Sequence, residues 1–81
     1  MKYEFTAHAK ARIAERKVPA EWLRSVLEMP QRTLSGKFGR EIKQSEFERD
    51  GKRWLVRAVV EGNLVLTVLL TSKVEKYGGA S

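Results

Sequence analysis

Histidine occurs once in this chain, at His8, and Arg12 and Arg16 follow it at steps of four. On a helix that spacing stacks an imidazole and two guanidiniums along one side, with successive Cβ atoms about 5–6 Å apart. Such a stripe suits a phosphate. Guanidiniums grip phosphate oxygens two at a time, and an imidazole can give or take a proton near neutral pH. Metal-free cleavage of RNA needs these functions. A base takes the 2′-OH proton, cations stabilise the charge growing on phosphorus, and an acid protonates the departing 5′-oxygen. A plainer role is also open for each residue. His8 can be a hydrogen-bonding anchor at a helix start, and Arg12 and Arg16 can lay their stems over an apolar seam and pair with Glu15 or Glu4.

Arg57 is the second notable cation, because it lies mid-strand in the apolar run "RWLVRAVV". An arginine there is either paired with a carboxylate or presented to a ligand, and Glu46, diagonally close across the hairpin, is the expected partner. Glu46 and Glu48 share a strand face, but two carboxylates without a third ligand make a solvated face rather than a magnesium site. "GKFGR" is not a phosphate-binding Walker loop, since no Ser or Thr follows its lysine. It can be a hairpin turn, or it can lay Phe38 against a base between Lys37 and Arg40. No metal or cofactor is expected.

The elements that must position these residues follow from periodicity. Thr6 is a plausible N-cap, and the alanines at 7, 9, 11 and 14 favour a helix near 7–16. Pro19 suits the start of a second helix near 20–28, whose Trp22, Leu23, Val26 and Leu27 form one apolar stripe before Pro30 stops it. From Gln31 the period becomes two. Strands are expected near 31–35, 40–49, 53–61 and 64–71, with Gly36 and Gly39 bracketing one turn and Asp50-Gly51 making a tight hairpin. A three-residue loop at 61–63 would pair Val60 with Leu64, Ala58 with Leu66, Val56 with Val68 and Trp54 with Leu70. The result is an α+β domain: two N-terminal helices on one face of a four-stranded, mainly antiparallel sheet. Phe5, Ile13, Trp22, Val26, Phe47, Trp54, Val56, Leu66, Val68 and Leu70 are its expected core. The opposite face, carrying Arg57, would be open to a ligand.

The chain has 81 residues, enough for one domain, expected over 1–77 with a disordered tail at 78–81. It has no cysteine and a net charge of +6, and the basic excess is concentrated in residues 1–40. That charge points to a polyanion, most often nucleic acid, and RNA or the ribosome is the expected partner. No apolar signal core or membrane-length run occurs, so a cytoplasmic protein without membrane contact is expected.

The motif "FTxHAxxRxxxRxV", the helix ending at Pro30, "RWLVRAVV" and "VLTVLLTxKxxKY" together resemble the HAxxR-type bacterial domain of unknown function. That family is grouped with RelE-like toxin ribonucleases. The resemblance spans about residues 3–77. It implies a RelE-like fold and a toxin or toxin-like endoribonuclease that leaves 2′,3′-cyclic phosphate ends, countered by an antitoxin protein. The positions implied to match that superfamily's cleavage residues are Arg57, Lys73 and Tyr77; joined to the helix pair, they make His8, Arg12, Arg57 and Tyr77 the expected catalytic residues. Arg16, Lys37, Arg40, Arg53, Lys73 and Lys76 would hold RNA. Where such enzymes carry further cations on the sheet, this chain has Glu46 and Glu48. The competing expectation is a binding module for RNA or protein on the same scaffold, without catalysis. Convergence of His8, Arg12 and Arg57 on one cleft separates the two.

Overall fold

The computed structural model describes residues 2–74. The tail at 78–81 and the candidate residues Lys76 and Tyr77 lie outside the described residues. The order of elements is β1 (Glu4–Phe5), α1 (Ala7–Arg16), α2 (Ala20–Glu28), β2 (Arg32–Ser35), β3 (Glu41–Arg49), β4 (Lys52–Glu61) and β5 (Leu64–Thr71). Both helices have the bounds expected from caps and period.

Local chemistry sets the helix ends. Thr6 is extended, and its hydroxyl accepts from the Ala9 N–H at 3.0 Å, satisfying one orphan donor of the first turn. At the other end Lys17 adopts φ 53°, a left-handed conformation more often given to glycine. Its N–H donates to the Ala14 carbonyl at 3.3 Å and that of Val18 to the Ile13 carbonyl at 3.1 Å. This is the double closure of a Schellman motif, and Val18 and Ile13 both join the core there. Pro19 then begins α2, and its carbonyl takes the Leu23 N–H.

The sheet has five strands in the order β1-β5-β4-β3-β2, not four. The extra strand is the short β1, which pairs in parallel with β5, so the sheet is mixed. Two residues carry no readable period. The strand exists because the Glu4 and Thr6 N–H groups reach the carbonyls of Asn63 and Val65 at 2.9 and 3.1 Å. The other neighbours are antiparallel, and Phe47 faces Trp54 and Gln44 faces Arg57, as the Asp50-Gly51 turn requires.

The β4–β5 register differs from expectation. The connection is a two-residue turn, Gly62-Asn63, with Gly62 at φ 61°, so Glu61 pairs with Leu64 and Val60 with Val65. A bulge at Leu66 then puts Thr67 opposite Val59, Val68 opposite Ala58 and Leu70 opposite Val56. Leu66 is therefore only half-buried, while Val65 takes the buried position in its place. The core between the helices and the sheet is built from Ala9, Val18, Val26 and Leu27 against Val56, Ala58, Val60, Val65, Val68 and Leu70. Phe5, Ile13, Trp22, Phe47 and Trp54 flank it, half-buried, and Trp22 stacks flat on Phe47 with ring centroids 4.8 Å apart.

Candidate phosphate-binding cleft

Because β1 stops after two residues, α1 takes over the flank of β5. Thr6 makes the junction. Its hydroxyl donates to the carbonyl of the bulge residue Leu66 at 2.9 Å while accepting from Ala9, so the helix starts tied to the strand beside it. Ala9, fully buried, and Ile13 turn to the core. One turn apart on the neighbouring stripe stand Arg12, half-buried, and Arg16, exposed.

That stripe meets the sheet face opposite the core. Arg12, Arg16 and Arg57 line one cleft of about 520 Å³. Its walls come from three adjacent strands: Ile42, Val59, Thr67 and Leu69, with the core residue Val68 reaching its edge. The lining has no carboxylate among the described residues. Glu46, the expected partner of Arg57, makes a charge-assisted hydrogen bond with Arg53. Arg53, four residues before Arg57 on the same strand, faces Glu48 across the hairpin.

The other sequence candidates lie elsewhere. His8 is exposed and does not line the cleft, although it continues the Arg12–Arg16 stripe one turn toward the helix start. Arg40 is 3.9 Å from Glu61, an exposed pair of little energetic weight. Lys37 is exposed at the β2–β3 turn. Lys73 is exposed just past β5, where its N–H donates to the Thr71 hydroxyl.

One residue of this face was missed from the sequence. Gln44, directly across from Arg57, is 1% exposed, and neither its amide oxygen nor its amide nitrogen has a hydrogen-bond partner among the described residues. Leu55, on the same face and expected at an open surface, is fully buried, and so is most of Val74. A glutamine between Lys43 and Ser45 carries no signal of burial.

No family model, curated protein or solved structure matches this chain. What the site can do therefore rests on its geometry. Three arginines beside apolar side chains, with no carboxylate in the lining among the described residues, have the chemistry to hold a compact anion that carries an apolar body. Phosphate oxygens suit the planar forks, and a sugar or base suits the floor. Among the described residues no group of three His, Cys, Asp or Glu could hold a metal ion. Among the same residues no helix is long and apolar enough to cross a membrane.

Proposed function

We propose that this protein is an RNA-directed, RelE-like toxin-type endoribonuclease that holds one phosphodiester in the arginine cleft. The observation that carries the reading is the meeting of Arg12 and Arg16 from α1 with Arg57 from the middle of β4. Residues 45 positions apart supply cations to one small volume, an arrangement that packing alone does not require. In the reaction the 2′-oxygen attacks phosphorus and the bond to the 5′-oxygen breaks, leaving a 2′,3′-cyclic phosphate and a 5′-hydroxyl. Arg12 and Arg57 neutralise the extra negative charge on the phosphoryl oxygens, and Arg16 steers the neighbouring backbone. His8, one turn further along the same stripe, relays the 2′-OH proton to the departing 5′-oxygen. The net charge of +6 favours approach of a polyanion. A protein antitoxin would silence the enzyme by covering this face.

One observation favours the second reading, a binding module without catalysis: His8 is not in the lining of the cleft. Incubating the protein and its His8→Ala and Arg12→Ala variants with total RNA and with translating ribosomes, with and without chelator, decides between them. Cleavage with cyclic phosphate ends, lost in His8→Ala, supports the enzyme. Salt-sensitive binding that needs Arg12, with no cleavage, supports the module. Absence of RNA binding even at low salt refutes both.

A further inference from the structure

The turn between β2 and β3 holds an aromatic side chain in a place that the turn does not want it. Lys37 and Arg40 close a tight two-residue connection, with the Arg40 N–H donating to the Lys37 carbonyl at 3.2 Å. The two residues between them are left-handed: Phe38 at φ 60°, ψ 36° and Gly39 at φ 75°. Such primed turns favour Asn, Asp or Gly at the first position, because a bulky side chain there strains the backbone. This chain makes the same conformation again at Asp50 (φ 56°) and Gly51 (φ 74°), and there it uses the favoured pair. At the other turn it places there a phenylalanine that is 84% exposed and belongs to no apolar cluster among the described residues.

Two cations flank Phe38, one of them also paired with Glu61. Lys37 precedes it, and the Arg40 guanidinium lies 5.9 Å from its ring centroid. The turn also sits at the cleft's end of the sheet, since Ile42, in the cleft wall, is four residues on. Four residues of extended chain reach at most about 14 Å. A few linked nucleotides bridge that distance.

We propose that Phe38 is a stacking platform for one unpaired RNA base, flanked by Lys37 and Arg40 on the adjoining phosphates, and that it extends the strand path outward from the arginine cleft. Every base has a π-face, so an exposed ring between cations binds single strands with little demand on sequence. This inference rests on the RNA reading of the cleft, and the experiment separates the failure of one from the failure of the other.

The probe is a short unstructured RNA carrying 2-aminopurine, titrated against the wild-type protein and the Phe38→Ala, Phe38→Trp, Phe38→Gly and Arg12→Ala variants. Wild type should quench the 2-aminopurine by stacking. Phe38→Ala should bind about tenfold more weakly and lose the quenching, while Phe38→Trp should retain both. Phe38→Gly should lose affinity in the same way yet raise Tm, because glycine adopts the left-handed conformation without strain. That opposition of signs distinguishes a ligand-facing ring from a structural one. If Arg12→Ala weakens binding and the Phe38 variants match wild type, the stacking platform is overturned and the cleft stands. If Arg12→Ala also binds like wild type, the cleft reading falls and the platform with it.

Discussion

Replacing Thr6 by alanine removes one hydroxyl that performs two tasks at once. It accepts from the Ala9 N–H at 3.0 Å, capping α1, and donates to the Leu66 carbonyl at 2.9 Å, fastening α1 to β5. Loss of an N-cap costs about 1 kcal/mol. Loss of the second bond strands a part-buried carbonyl at the bulge and costs about 1 kcal/mol more. The sum, about 2 kcal/mol, is a substantial share of the roughly 5–15 kcal/mol that holds a typical domain folded. For a chain of this size it corresponds to a fall in Tm of about 8–16 °C. Thr6→Ser keeps the hydroxyl and should lose under about 1 kcal/mol, the worth of one partly buried methyl. Urea unfolding followed by tryptophan fluorescence, read from Trp22 and Trp54, measures all three proteins. Equal losses in the alanine and serine variants would show that the methyl, not the hydroxyl, holds the junction. A loss below about 0.5 kcal/mol for Thr6→Ala would refute the double role, because the cap alone should exceed it.

Four further outcomes are expected. Arg57→Ala should weaken RNA binding and lower the slope of log affinity against log salt by about 0.7, one phosphate contact on a single strand, in a fluorescence titration across salt concentrations. Arg12→Lys should recover only part of the binding lost in Arg12→Ala in the same titration, because lysine lacks the fork that grips two oxygens. Val68→Ala should cost about 2 kcal/mol in urea unfolding and Leu66→Ala less, although leucine is the larger side chain, because the bulge leaves Leu66 half-buried. Gln44→Met should raise stability by about 1–3 kcal/mol by removing a buried amide without partners among the described residues; an unchanged or lower unfolding midpoint would show that the amide is satisfied in solution.

Much of this fold was legible because its signals are local. Thr6 before an alanine-rich run, Pro19 before an apolar stripe and Asp50-Gly51 between alternating strands each act within a few residues, and the bounds of α1 and α2 follow from them. Two features escaped for the opposite reason. The strand β1 is two residues long and is specified by carbonyls of Asn63 and Val65, far along the chain. The bulge residue Leu66 is likewise tied to a distant residue, the Thr6 hydroxyl, and without the bulge the β4–β5 pairing extrapolates to the wrong partners. The candidate site divides along the same line. The stripe of His8, Arg12 and Arg16 is readable from spacing alone, and Arg57 stands out by its apolar neighbours. Their relation is not readable, since it depends on α1 lying beside β5. That placement brings Arg12 and Arg16 to Arg57 and leaves His8 outside the cleft lining.

The bond from Thr6 to Leu66 spans 60 positions of sequence, and this separation has a consequence during synthesis. Translation proceeds at about 5–20 residues per second, so α1 waits roughly 3–11 s after it is made before the strand that fixes it is complete. Through that interval β2, β3 and β4 can form their hairpins from near neighbours, whereas the helix carrying Arg12 and Arg16 has no β5 to lie against. The cleft is thus among the last parts of the molecule to be assembled. A nascent chain interrupted before Leu66 would carry the arginines but no binding site.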